Sequence, residues 1–132
     1  MDRLFLDANV LFSAAYRAGA GLLRLWTMQH VMLCSSRYAL EEARVNLENE
    51  VQRTRLVRLS SRLQLFEGTQ LELPRGIHLP EKDVPIILAA IDAQATHLLT
   101  GDLRHFGPYL GKKIAGITIA LPGDYLRMRH LI

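Results

Sequence analysis

The chain has 132 residues, of which 49% are hydrophobic and 22% are charged. This length and apolar content predict one globular domain over residues 1–132, and they exclude intrinsic disorder and a linker-joined pair of domains. The single cysteine, Cys34, excludes an intrachain disulfide framework and a cysteine-based zinc site. Its apolar neighbours predict an inert core thiol, and cysteine usage favours a reducing, cytoplasmic compartment.

Basic residues slightly outnumber acidic ones, with 16 Lys and Arg against 13 Asp and Glu, a net charge of +3. Thirteen of the 16 are arginines, which suit phosphate contacts because the planar guanidinium pairs bidentately with phosphate oxygens. No signal peptide is expected at the N-terminus. No stretch reaches the roughly 20 apolar residues of a membrane helix, so no membrane association is expected.

The sequence pattern predicts alternating strands and helices. In the first half it predicts a strand over 4–6, helices over 10–15 and 22–28, a strand over 31–34, a helix over about 38–47 capped by Ser36, and a longer helix over about 50–66. In the second half it predicts a strand over 69–73, a helix over 83–95, strands over 97–99 and 117–120, and a short terminal helix after Pro122 and Gly123.

This alternation predicts an α/β fold, a three-layer α/β/α sandwich with a central, mostly parallel sheet of 4–5 strands. Ligands of such sheets bind at the carboxyl ends of the strands.

Two acidic residues directly follow predicted strands: Asp7 in FLDANV and Asp102 in LLTGD. Carboxylates brought together at one sheet edge repel unless a cation neutralises them. Mg²⁺ or Mn²⁺ does so with oxygen ligands from carboxylates, water and substrate phosphate. The alternative interpretation is that each aspartate only caps the helix that follows it.

Further acidic residues fall on the predicted helices. Glu41 and Glu42 lie in the helix after the second strand, and Asp83 opens the helix before the TGD strand. Helix starts face the strand ends in this architecture, so Asp83 is expected at the same cleft, with an N-terminal cap as the alternative. Asp92 lies nine residues further on, about 180° round an ideal helix, and is not expected there.

Four segments together resemble one known family, the PIN domains. The segments are LFLDANVLFSA, ALEEARVNL, DVPIILAAIDAQATHLLTGD and ITIALPGDYL. The resemblance implies a small metal-dependent ribonuclease. The acidic residues of the family match Asp7, one glutamate of the middle helix, Asp83 and Asp102.

The family pattern also distinguishes between the two glutamates. It places a leucine five residues after the acid, which selects Glu42 because Leu47 then fits; Glu41 is the alternative. A polar residue two positions after the first acid falls on Asn9, and a small hydroxyl before the last acid falls on Thr100.

The resemblance implies that Asp7, Asp83 and Asp102 hold Mg²⁺ or Mn²⁺, directly or through water, with Glu42 as a further ligand or a group that orients water. Such a cation lowers the pKa of a bound water and stabilises charge on the scissile phosphate. Asn9, Thr100 and Arg104 are the candidate substrate-binding residues. The family also implies an RNA substrate, and its bacterial toxins imply an antitoxin protein partner and a homodimer.

The remaining basic residues leave alternatives open. Arg104 and His105 follow Asp102 closely and are expected near the cleft, where Arg104 would hold a phosphate or pair with a surface acid. Three arginines of the long helix predict either an RNA-binding ridge or a solvated helix face; they are Arg55, Arg58 and Arg62. The five histidines show no metal-ligand spacing, and His97 is expected to be structural.

Two other function classes compete with the nuclease. A catalytically silent PIN-fold module would bind RNA or a protein partner, but it would be expected to have lost some of the four acids. A phosphoryl-transfer or receiver domain also gathers acids at strand ends. It would require a second aspartate at the position of Asn9, or a lysine where Thr100 and Gly101 stand.

Overall fold

A computed structural model of the chain describes residues 1–69 and 72–130. The strands are β1 (Asp2–Leu6), β2 (Val31–Ser35), β3 (Gln64–Leu65), β4 (His97–Leu99), β5 (Lys113–Ile114) and β6 (Ile117–Ala120). The α-helices are α1 (Ala8–Tyr16), α2 (Arg37–Asn46), α3 (Glu50–Ser60), α4 (Val84–Asp92), α5 (Leu103–Phe106) and α6 (Pro122–His130). Shorter 3-10 helices cover Gly21–Thr27, Glu81–Asp83 and Gly107–Tyr109. Within the described ranges, no helix has the length and apolar character needed to cross a membrane.

The strands form one six-stranded sheet in the order β3-β2-β1-β4-β6-β5. All neighbours are parallel except β5 and β6. The chain moves from β1 outwards to β2 and β3, and then returns to β4 on the other side of β1. Because parallel crossovers are right-handed, this reversal places the connecting helices on opposite faces of the sheet. The α/β sandwich is therefore confirmed, with six strands in the described residues instead of 4–5.

The reversal of direction lies between β1 and β4, at the centre of the sheet. Leu4, Phe5 and Leu6 of β1 are completely buried, because helices cover both faces of this strand. The β4 residues Leu98 and Leu99 are buried beside them. Crevices at the carboxyl ends of such strands are where α/β sheets bind ligands, so the residues after β1 and β4 are rigidly placed for function.

Several predicted elements match the structure closely. The strand over 97–99 is confirmed as β4, and the one over 117–120 as β6. Ser36 caps α2 as predicted, because its hydroxyl accepts a hydrogen bond from the Ala39 amide at 3.1 Å.

The long helix predicted over 50–66 was wrong in its second half. Helix α3 ends at Ser60, and residues Gln64 and Leu65 form β3 beside β2. The Phe66 amide then donates a hydrogen bond to the Ser35 carbonyl at 2.9 Å. Because residues 64–66 form backbone hydrogen bonds with β2, these backbone groups are not available to extend α3. The apolar side chains of Leu63 and Phe66 still pack against the core.

The strand predicted over 69–73 is not found in its described residues, because Thr69, Glu72 and Leu73 have no strand conformation. Residues 70 and 71 lie outside the described part of the chain. The two-residue strands β3 and β5 and the one-turn helix α5 were not predicted, because elements this short carry no readable periodicity.

Candidate active site

Asp7 lies where β1 ends and α1 begins. Its Oδ1 accepts a hydrogen bond from the Ala8 amide at 2.7 Å, so it does cap α1. Its Oδ2 accepts from the Thr100 hydroxyl at 2.8 Å and from the Asn9 side-chain amide at 3.2 Å. One carboxylate oxygen therefore serves the helix, while the other faces the end of β4.

Asn9 and Thr100 connect the ends of β1 and β4. The Asn9 Oδ1 accepts a hydrogen bond from the Gly101 amide at 2.7 Å, and Thr100 Oγ1 accepts from the Asp102 amide at 3.0 Å. Gly101 lies close to this contact, since a Cβ there would be 3.3 Å from Asn9 Oδ1. The two candidate substrate-binding residues therefore hold the two strand ends in register.

Asp7 is almost fully buried, with 4% of its surface exposed. Burial raises the pKa of its carboxyl group above the ordinary value, and the hydrogen bonds from Thr100 and the first α1 amide oppose this shift. The charges of Glu42 and Asp102 raise the pKa further. The acidic residues from three separate elements are thus close enough to interact electrostatically.

Asp83, Asp102 and His105 form a second, compact group. Each offers one potential ligand atom, and the three atoms lie within 4.8 Å of one another. The Nδ1 atom of His105 lies 2.8 Å from Oδ2 of Asp83 and 2.8 Å from Oδ2 of Asp102. The other Asp102 oxygen accepts a hydrogen bond from the His105 amide at 3.1 Å and caps α5. Asp102, like Asp7, combines a capping oxygen with one that faces the cleft.

Asp83 differs from the other two aspartates because its side chain makes no capping hydrogen bond. Its side chain is only 10% exposed, yet Oδ2 has no hydrogen-bond partner despite its short distance to His105 Nδ1. A buried carboxylate oxygen without a donor is costly unless a cation compensates it. The group of two carboxylates and an imidazole therefore fits a divalent cation in both charge and donor chemistry.

Glu42 and Glu41 face different surfaces of α2. Glu42 lines a groove of about 330 Å³ together with Asn9, Phe12 and Asn46, next to the start of α1. Glu41 is exposed and pairs with Arg44 at 2.6 Å. The structure thus brings Glu42 towards the acidic residues at the strand ends and leaves Glu41 outside them.

The chain's family follows from comparison with known proteins. A family model described as "PIN domain" matches residues 3–104, which is more than half of the chain. This chain belongs to the PIN domain family. The matched stretch includes all four sequence-predicted acids and ends one residue before His105.

A solved structure supports the fold of this PIN domain. A chain from the crystal structure of VapBC2 from Rickettsia felis, bound to a DNA fragment from the promoter, superposes with a TM-score of 0.63. The sequences are 15% identical, and the alignment covers 90% of the PIN domain described here and 98% of the other chain. No curated protein sequence matches this one.

Sequence reasoning did not select two residues that the structure places at the PIN-domain site. His105 lies one helical turn after Asp102, a spacing that could have indicated it. The Tyr38 hydroxyl donates a hydrogen bond to the Lys82 carbonyl at 2.7 Å, which ties α2 to the segment carrying Asp83. Partial burial raises the pKa of Tyr38, as do the charges of Glu42 and the nearby aspartates.

The four candidate arginines have different surroundings in the structure. Arg104 is exposed and forms no ion pair or hydrogen bond within residues 1–69 and 72–130, so the predicted surface pairing is not found there. Arg55 donates to the Ala15 carbonyl at 2.6 Å and holds α3 to α1. Arg58 and Arg62 are exposed, and Arg62 lies beyond the end of α3. The three arginines therefore do not form one continuous helical ridge.

Other sequence-based expectations concern residues away from the cluster. Cys34 is completely buried, and burial raises the pKa of its thiol, in agreement with a core role. His97 contacts Thr96 and stacks edge-on against Tyr125 at 5.0 Å, and burial lowers its pKa. Asp92 accepts a hydrogen bond from Thr69 and is not part of the cluster.

Asp83 gives the site a measurable dependence on pH. Burial raises the pKa of its carboxyl group, the charge of His105 opposes this, and the charges of Asp102 and Asp7 add to it. The native state therefore binds the Asp83 proton more tightly than the unfolded chain does. Native stability is lost as the pH rises from the ordinary aspartate value through the raised value.

We expect Asp83→Asn to raise the thermal unfolding midpoint of the metal-free protein at pH 7. The amide removes a buried charge without breaking a hydrogen bond, since Oδ2 has no hydrogen-bond donor, and the net raised pKa means that its attraction to His105 does not compensate for burial. The gain should disappear below about pH 4, where the aspartate is protonated in both states. Calorimetry in EDTA at both pH values measures this. Asp92→Asn, at the opposite end of α4 from Asp83, is the control, and a lower midpoint for Asp83→Asn at pH 7 would contradict the expectation.

Proposed function

We propose that this PIN domain is a metal-dependent ribonuclease that hydrolyses RNA phosphodiester bonds internally at its acidic cluster. The observation that carries the proposal is the placement of Asp7, Asp83 and Asp102 around the ends of β1 and β4, with a buried Asp83 oxygen that lacks any donor. Like charges are gathered here at an energetic cost that a purely structural role would not require.

The residues at the acidic cluster would have different roles. Asp83 and Asp102 would hold a divalent cation, Mg²⁺ or Mn²⁺, and Asp7 would complete the site from its buried side. Thr100 and Asn9 fix Asp7 through hydrogen bonds to Oδ2. A cation bound there supplies an activated water and neutralises charge that develops on the phosphate.

Glu42 and Arg104 extend the site towards the substrate. Glu42 lies on the groove beside Asn9, where a carboxylate can orient a water molecule or contribute a ligand. Arg104 is exposed near Asp102 and free to contact a phosphate. A guanidinium matches phosphate oxygens bidentately, so Arg104 would hold RNA close to the cluster.

We also propose that the protein acts as the toxin of a toxin–antitoxin pair, with an antitoxin partner and as a homodimer. The likeness in fold to a chain of the VapBC2 complex supports this proposal. The helix pair α2 and α3 also exposes Val45, Val51 and Val57, and Val57 lines a groove of about 410 Å³ together with Leu40 and Leu56. Exposed apolar surface of this kind is typical of protein interfaces.

Cleavage of RNA tests the catalytic proposal directly. Purified protein should cleave structured or unstructured RNA with Mg²⁺ or Mn²⁺, and EDTA should abolish the activity. Asp7→Asn and Asp102→Asn should each lower the rate by about 100-fold or more, because a group acting at the reacting phosphate is removed. Asparagine is also a good helix cap, so both variants should fold.

Asp92→Asn is the matched control for these variants and should cleave at the wild-type rate. Activity that persists in EDTA or in the Asp7 and Asp102 variants would contradict the metal-carboxylate mechanism. No cleavage of any RNA, together with no bound metal in calorimetry, would favour the catalytically silent binding module.

For Arg104→Ala we expect weaker RNA binding and unchanged metal affinity, because the side chain contacts phosphate and not the cation. In a plot of the logarithm of the RNA association constant against the logarithm of salt concentration, the magnitude of the slope should decrease by about one, as expected for one lost phosphate contact. Fluorescence anisotropy with labelled RNA across a salt series measures both quantities. Arg24→Ala removes the same charge from an exposed position in the 3-10 helix Gly21–Thr27 and is the control; equal RNA affinity for wild type and Arg104→Ala would refute the phosphate contact.

Expression in a bacterial host without other added genes tests the toxin proposal. Wild-type protein should arrest growth, whereas Asp102→Asn at the same level should not, because toxicity requires cleavage. Harmless accumulation of protein that cleaves RNA after purification would contradict the toxin role. A light-scattering mass of one chain, 14.9 kDa, would exclude the homodimer.

A further inference from the structure

The imidazole of His105 has an unusual position between two carboxylates. Its Nδ1 atom lies 2.8 Å from Oδ2 of both Asp83 and Asp102. This nitrogen is buried, but neither contact has the direction of a hydrogen bond. An imidazole nitrogen carries at most one proton in the plane of the ring, so it cannot serve both oxygens well. Proton sharing therefore does not explain the arrangement.

Backbone and core contacts hold the imidazole of His105 in this position. The His105 amide donates to Asp102 Oδ1 at 3.1 Å, which holds the first turn of α5. The next residue, Phe106, is completely buried and anchors the same turn in the core. The side chain of His105 is 18% exposed and lies on the inner side of this turn.

Two of the three interatomic distances match adjacent positions in the first coordination sphere of a cation. Adjacent ligands about 2.1 Å from an octahedral metal lie roughly 3 Å from each other. The two nitrogen–oxygen distances of 2.8 Å are close to this separation. The side chain of Asp83 is nine-tenths buried and its Oδ2 accepts no hydrogen bond, which is the second indication that this group binds a cation.

We propose that His105 Nδ1 is a direct ligand of the cation, and that it makes the site prefer a transition-metal dication over Mg²⁺. This inference rests on the proposed function, because it concerns the cation that the acidic cluster would hold. Mg²⁺ takes oxygen ligands and keeps much of its water, whereas imidazole nitrogen binds transition-metal ions more strongly. Because one of the three ligands is an imidazole nitrogen, the group offers Mg²⁺ only two carboxylates as its preferred oxygen ligands.

Pulsed electron paramagnetic resonance of Mn²⁺ added to the wild-type protein gives the decisive test. We expect modulation from a directly bound ¹⁴N nucleus, which should change on labelling with ¹⁵N-histidine. His105→Gln should lose the nitrogen signal because it replaces the nitrogen donor with an oxygen. His78→Gln, an exposed histidine outside the cluster, should retain it.

Metal affinity gives a second readout that does not involve catalysis. In titration calorimetry, His105→Gln should weaken Mn²⁺ binding about tenfold or more, the usual minimum for loss of a group at a metal site, and change Mg²⁺ binding much less. The ratio of the two affinities should therefore fall towards one. The same ratio should be unchanged in His78→Gln.

The outcomes separate this inference from the proposed function. If wild-type protein binds Mn²⁺ without any nitrogen signal, His105 is not a ligand, although the carboxylates still hold the metal and the nuclease proposal stands. Equal loss of Mn²⁺ and Mg²⁺ affinity in a folded His105→Gln variant would also overturn the preference. If wild-type protein binds neither ion, both this inference and the metal-dependent function fail.

Discussion

Electrostatic repulsion among buried carboxylates is the constraint around which this site is arranged. Asp7, Asp83 and Asp102 come from three different elements, and burial together with their mutual charge raises the pKa of Asp7 and Asp83. The fold offsets part of this cost with donors from its own chain, namely the Thr100 hydroxyl, the Asn9 amide and the backbone amides at the starts of α1 and α5. Asp83 receives no such donor. The uncompensated part of the charge is therefore concentrated at one position, which a cation would fill.

The capping and metal-binding interpretations of Asp7 and Asp102 turn out to be compatible. Each carboxylate uses Oδ1 for the helix that follows, while Oδ2 faces the strand ends. A carboxylate has two acceptor oxygens, so the same residue can fix the start of a helix and present charge to a cleft. The helix thereby orients the functional oxygen. Local sequence signals for a cap and for a site should be expected to coincide at such positions.

The sequence predicted those parts of the fold and site that depend on long apolar runs and on residues at their ends. Asp7 could be placed because it directly follows β1, Asp102 because it comes three residues after β4 ends, and Asp83 because it precedes an apolar helix. Glu42 required the family spacing, since composition alone does not distinguish it from Glu41. The sequence placed His105 near the cleft because it follows Asp102, but its contact with Asp83 was missed because it depends on a one-turn helix without periodicity and on a distant segment. The end of α3 was missed because pairing of β3 with β2 is a tertiary contact.

The pairing of β1 with β4 has a consequence for how the site is assembled during synthesis. The hydrogen bond between Thr100 and Asp7 joins residues 93 positions apart, and in the described residues β2, β3 and four α-helices are made between the two strands. A growing chain that lacks β4 has no Thr100 hydroxyl to donate to Asp7 Oδ2 and no Asp102. Nascent or truncated chains that end before this strand therefore contain Asp7, Glu42 and Asp83 but lack Asp102, so they cannot assemble the complete cluster. Any activity that depends on the complete cluster can therefore begin only after β4 has paired with β1.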